Sequence, residues 1–77
     1  MANSKRERFA RIFPKRAGNI REQLRILGNC SNKTNYEWDS DKVNLFFAYI
    51  LQEMITTSKS FGIDMNAEVG GKDVNEY

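Results

Sequence analysis

Residues 9–27 read FARIFPKRAGNIREQLRIL, and this stretch decides the fold. Its apolar residues recur at intervals of 4, 4, 3, 4 and 3, at Phe9, Phe13, Ala17, Ile20, Leu24 and Leu27. That spacing places them on one face of an α-helix and predicts a buried stripe. Ser4 and Glu7 match a capping box at the helix start. Gly28 is expected to end the helix as a left-handed residue. The sequence therefore predicts a helix from Ser4 to about Leu27.

Pro14 is the discordant residue of this first helix. A proline removes one helical N–H and crowds the preceding turn. Two outcomes stay open. The helix is either kinked at Pro14, or split into a short first piece and a longer second one that begins there.

A second stretch, residues 43–61, repeats the helical spacing with a wider apolar stripe. Asp39 or Ser40 is expected to cap this helix, Asp41 suits the positive end of its dipole, and Gly62 is a natural stop. The second helix is therefore predicted from Ser40 to about Phe61. The joining segment, residues 29–38, is rich in Asn, Ser and Thr, which predicts a structured loop.

These elements predict an all-α fold, an antiparallel helical hairpin of two long amphipathic helices that pairs into a four-helix bundle on dimerisation. The hairpin domain is assigned to residues 1–62. Residues 63–77 lack apolar periodicity, contain Gly70-Gly71 and carry four acidic residues against one lysine. This segment is predicted to be a mostly disordered acidic tail.

Composition argues against a metal site, a cofactor and catalysis. The chain of 77 residues has a single cysteine, Cys30, and no histidine. It therefore lacks the usual zinc ligand spacings. General acid–base work would fall to carboxylates, but Glu37, Asp39 and Asp41 lie in the predicted loop and helix cap, where capping is a sufficient role. Cys30 follows a helix C-terminus, where the dipole disfavours a thiolate, and it is expected to pack as a small hydrophobic residue. We expect no metal, no cofactor and no enzymatic activity.

The distribution of apolar residues predicts a protein of the cytoplasm. The longest apolar run covers residues 45–51, which is too short for a membrane helix, so no membrane association is expected. The start of the chain interleaves basic, acidic and aromatic residues and does not resemble a secretion signal.

Two surfaces are candidates for binding. The first helix carries a basic face opposite its apolar stripe, formed by Arg8, Arg11, Lys15, Arg21 and Arg25. Such a face can contact nucleic-acid phosphates or an acidic protein partner. The second helix has more apolar surface than one neighbour can cover, formed by Phe46, Phe47, Ile50, Leu51, Met54 and Ile55. A second copy of the chain is the favoured partner for this surface, and a different protein is the alternative.

The end of the first helix and the joining loop contain motifs that resemble those of a known group of proteins. The chain reads LRILGN at 24–29, SNK at 31–33 and NYEW at 35–38, after Lys15-Arg16 and before Lys59-Ser60-Phe61. In these positions the chain resembles a group of small helical proteins of bacterial, phage and mobile-element origin. It departs from the group at Pro14, Cys30 and Trp38. The candidate loop surface comprises Asn29, Asn32, Lys33, Asn35, Tyr36 and Trp38.

The resemblance implies the fold and brings no established activity with it. Its origin suggests a phage or mobile-element protein that engages a host macromolecule, as an inhibitor or regulator, in the host cytoplasm. A nucleic-acid-binding accessory protein that uses the basic face is the alternative hypothesis.

Overall fold

The computed structural model describes residues 4–77. The chain is mostly helical, as predicted, with two helices, α1 (Ser4–Gly28) and α2 (Ser40–Ser60). Two short strands, β1 (Glu68–Val69) and β2 (Lys72–Asp73), follow α2 and were not predicted. The chain divides into two compact units, Met1–Glu37 and Trp38–Tyr77.

Helix α1 continues through Pro14, so of the two outcomes left open at this residue the split is not found. Ser4 is already helical, and the preceding residues lie outside the described part of the chain. The capping box of Ser4 and Glu7 therefore stays a prediction. No side chain of α1 is buried, including those of its apolar stripe.

The prediction that Gly28 is left-handed is wrong. Gly28 has φ −58° and ψ −24°, and the chain passes from it into a 3-10 turn, Asn29–Ser31. The Ser31 hydroxyl donates a hydrogen bond of 2.7 Å to the Gly28 carbonyl oxygen. A helix end can be completed in this way, by a side chain and a tightened last turn, so a left-handed residue is not needed.

Asn32 organises the loop that follows. Its side-chain oxygen accepts the Thr34 N–H at 2.9 Å, and its carbonyl oxygen accepts the N–H groups of Asn35 and Tyr36 at 3.2 and 3.0 Å. The loop is therefore hydrogen-bonded, as its Asn-rich sequence predicted.

Both ends of α2 are capped. The Asp39 carboxylate accepts the N–H groups of Asp41 and Lys42 at 2.8 and 3.3 Å, which confirms it as the N-cap. At the other end Gly62 has φ +73°, and its N–H donates to the Lys59 carbonyl oxygen. The Ile63 N–H donates to the Ser58 carbonyl oxygen, which completes a Schellman motif.

The C-terminal segment is ordered, so the prediction of a disordered tail at residues 63–77 is corrected. Gly70 and Gly71 have φ of 62° and 78°, which allows a tight two-residue turn between the strands. Val69 pairs with Lys72 on either side of this turn. A final 3-10 turn, Val74–Glu76, starts at Asp73, whose carboxylate accepts the Asn75 N–H at 2.8 Å.

This segment packs on α2 and forms the core of the second unit. Val74 and Ala48 are fully buried and Ile55 is 7% exposed, with partly buried Leu51, Met65, Ala67, Val69 and Tyr77 around them. The Gln52 side-chain amide donates to the Val74 carbonyl oxygen, and the Tyr77 hydroxyl donates to that of Val69. These bonds satisfy backbone groups next to the apolar contacts and fix the segment on α2.

Candidate interaction surfaces

The structure divides the predicted apolar surface of α2 into a covered and an exposed part. Ile55 is buried and Leu51 half-buried in the core of the second unit. Phe46, Phe47 and Met54 are 45%, 41% and 45% exposed. The C-terminal segment therefore covers one side of the helix, and a second side remains.

We call this second side the outer stripe of α2. It comprises Val43, Phe46, Phe47, Ile50 and Met54, which recur at helical intervals of 3, 1, 3 and 4 residues. At about 100° per residue, its centre lies roughly 120° around the helix from the covered side. The Phe46 and Phe47 rings meet edge to face, with centroids 6.0 Å apart. The outer stripe is therefore the apolar part of α2 that the C-terminal segment leaves exposed.

The apolar stripe of α1 is exposed along its length. Phe9, Phe13, Ile20 and Leu24 are 53%, 44%, 61% and 40% exposed. The rings of Phe9 and Phe13 stack with centroids 4.8 Å apart. Helices gain most of their stability from burial of such a face, and helix propensity alone is a weak source. Further burial of this stripe is therefore expected to stabilise α1.

The predicted basic face lies on α1 with all five side chains exposed. Glu22 falls within this face, and its carboxylate binds Arg25 through two hydrogen bonds of 2.6 and 3.1 Å. The contact lowers the pKa of Glu22 and raises that of Arg25. Sequence reasoning missed this pair, although the spacing of three residues was visible. The other four cations of the face form no ion pair with any residue among 4–77: Arg8, Arg11, Lys15 and Arg21.

The candidate loop residues are exposed, with Tyr36 at 50% and Trp38 at 40%. They fall in two units, because Trp38 begins the second. Asn32 is engaged in the turn and has a structural role. Cys30 is exposed, so the expectation that it packs as a small hydrophobic residue is wrong.

The two units carry opposite charge. Met1–Glu37 contains nine basic and three acidic residues, a net charge of +6. Trp38–Tyr77 contains three basic and seven acidic residues, a net charge of −4. Four of these acidic residues lie in the C-terminal segment, at Asp64, Glu68, Asp73 and Glu76. Electrostatic attraction is therefore expected between unlike units and repulsion between like units.

Within residues 4–77, neither helix combines the length and the apolar character that a membrane span requires. Comparison with known proteins gave no matching family model, no matching curated protein and no matching solved structure.

Proposed function

We propose that the chain is a non-enzymatic binding and assembly protein that acts through its exposed helical stripes. In this proposal α1 and α2 form an antiparallel hairpin, and two hairpins associate as a four-helix bundle. The observation that carries the proposal is the outer stripe of α2, which stays exposed although the C-terminal segment covers another side of the helix.

The energetics favour association because the chain has little core of its own. Only three apolar side chains are buried among the described residues, Ala48, Ile55 and Val74. Full burial of one large apolar side chain contributes about 1.5–3 kcal/mol. Burial of half-exposed residues such as Phe46 and Met54 against a partner would therefore stabilise the complex. A second copy always presents the same stripe, which suits a two-fold interface.

Sedimentation and circular dichroism across a range of concentrations test the proposal. The wild-type chain is expected to sediment as a dimer and to melt at a temperature that rises with concentration. Phe46→Asp should give a monomer, because it places a charge in the seam. Thr56→Asp is the control, since Thr56 is exposed on α2 outside the outer stripe. A wild-type chain that sediments as a folded monomer at high micromolar concentration would contradict the dimer.

A different protein can use the same stripe. If a host macromolecule is the partner, as the resemblance implies, we propose that it binds the outer stripe of α2. The chain alone would then be a monomer, and Phe46→Asp would lose the partner while it keeps its helices. Thr56→Asp would retain the partner.

Nucleic acid is the second candidate ligand, and the exposed basic face of α1 favours it. Arg8, Arg11, Lys15 and Arg21 form no ion pair among residues 4–77, whereas Arg25 is held by Glu22. If these four cations contact phosphates, the logarithm of duplex affinity should fall against the logarithm of salt with a slope of about −3.6. Arg11→Gln should reduce that slope by about 0.9, and Arg25→Gln should change it less. A slope near zero would exclude this function.

A further inference from the structure

We infer that, in the dimer, α1 of one copy packs beside α2 of the other, so that helices from oppositely charged units alternate around the bundle. The inference rests on the proposed function, because it specifies which helices meet between the two copies. It is carried by the charge of each unit and by the equal spans of apolar positions on α1 and α2.

Charge decides which helices can be neighbours. Neighbouring helices in a bundle lie about 8–10 Å apart. Helices across the diagonal of a square bundle are then roughly 11–14 Å apart, and with a Debye length of ~8 Å in physiological salt the extra distance weakens the repulsion between their charges. The two copies of α1 carry +6 each, so side-by-side placement brings these like charges closer together than diagonal placement does. The diagonal position weakens this repulsion. Each α1 then lies between two α2 helices and their acidic C-terminal segments.

The apolar positions of the two helices span equal lengths along the sequence. The stripe of α1 runs over residues 9–27 and the apolar positions of α2 over residues 43–61, 19 residues each. Antiparallel alignment of their centres places Ile20 opposite Ile50 and Leu24 opposite Phe46. The four side chains are all at least partly exposed, so each can contribute area to the contact.

The same alignment brings one pair of unlike charges to the same level. Arg16 borders the stripe of α1, and Glu53 borders the outer stripe of α2; both are exposed. Residue 16 lies opposite residue 54 in this register, within one position of Glu53. We therefore assign Arg16 and Glu53 as the charge pair that links the two copies.

Exchange of charge between two full-length variants tests this assignment. Arg16→Glu and Glu53→Lys each replace two attractive pairs in the dimer by two repulsive ones. Exposed pairs are worth about 0.2–1 kcal/mol each, so each variant alone should dimerise roughly tenfold more weakly than wild type. An equimolar mixture of the two variants should recover the wild-type dissociation constant, because one copy supplies Glu at position 16 and the other supplies Lys at position 53.

The controls test whether the Arg16–Glu53 pair forms between two copies or within one chain. Arg16→Gln and Glu53→Gln remove attraction without adding repulsion, so each homodimer loses both attractive pairs and the heterodimer in their mixture should regain one of the two. Circular dichroism of each variant checks that the helices persist. Recovery in the Arg16→Glu/Glu53→Lys double variant, but not in the mixture, would place the pair within one chain and overturn the inference. Single variants that dimerise like wild type would also overturn it. A monomeric wild type would instead refute the proposed dimer itself.

Discussion

Val74→Ala tests the structural role of the C-terminal segment most directly. Val74 is fully buried between α2 and the strands, and its backbone N–H donates to the Ala67 carbonyl oxygen at 3.1 Å. The substitution removes two methyl groups, worth about 0.8 kcal/mol each, and leaves a cavity that adds to the cost. We expect a loss of about 1.5–3 kcal/mol in the free energy of unfolding.

That loss is large for a unit of this size. At about 0.05–0.15 kcal/mol per residue, the 40 residues of Trp38–Tyr77 would have a stability of only about 2–6 kcal/mol. Urea unfolding followed by circular dichroism at 222 nm measures the effect, at one fixed protein concentration. Ile63→Ala is the control, because that side chain is 54% exposed and its loss should cost much less. Equal unfolding midpoints for Val74→Ala and wild type would refute the packed segment and restore the disordered tail.

Three further predictions follow from the helix ends and the ion pair. Gly28→Ala should leave stability unchanged or raise it by up to about 1 kcal/mol, because Gly28 has a right-handed backbone and open space where a Cβ would lie. Gly62→Ala should lower stability by about 1 kcal/mol, because Gly62 has φ +73°. Thermal melts of the two variants compare these effects. Asp39→Ala should cost about 1 kcal/mol through loss of the N-cap, and Asp39→Asn should retain most of it, as urea unfolding would show. The pKa of Glu22 is lowered by Arg25, so the stabilisation from this pair should be present above the ordinary carboxyl pKa and be lost as pH falls through the lowered value. Titration followed by NMR should find the Glu22 pKa back at its ordinary value in Arg25→Ala.

Two glycines illustrate what the sequence could and could not predict. Gly28 and Gly62 both follow an apolar helix residue and were both expected to end a helix. Gly62 is left-handed and is followed by Ile63, whose N–H closes the Schellman motif. Gly28 is followed instead by a segment in which the Ser31 hydroxyl caps its carbonyl oxygen. The choice between these endings depends on residues one to three positions after the glycine, beyond the local glycine signal.

The helices were predictable because long periodic stripes leave a strong signal in the sequence, whereas the C-terminal unit leaves almost none. Strands of two residues are too short to show alternation. Val74, the largest fully buried side chain, has polar or charged neighbours on both sides in the sequence. The acidic composition indicated disorder, although Gly70-Gly71 matched a hairpin turn.

The weak sequence signal of the C-terminal segment also limited the prediction of the candidate surfaces. The sequence showed that α2 has more apolar surface than one neighbour covers, but it could not show which part the chain covers itself. That required the contact of Leu51 and Ile55 with a segment that had been read as disordered. The side of α2 that bears Phe46 and Met54 is left exposed, and it is the part of the helix available to a partner.

The attachment of the C-terminal segment to α2 also has a kinetic consequence. The hydrogen bond from Gln52 to Val74 closes a loop of 22 residues, and the strands within that loop are joined by two glycines. Local opening of such a segment costs less free energy than global unfolding, so release and re-attachment are expected as a separate event, without loss of α2. Amide hydrogens in β1, β2 and the final turn should therefore exchange faster than those in the middle of α2. Each opening exposes Leu51 and Ile55 for its duration.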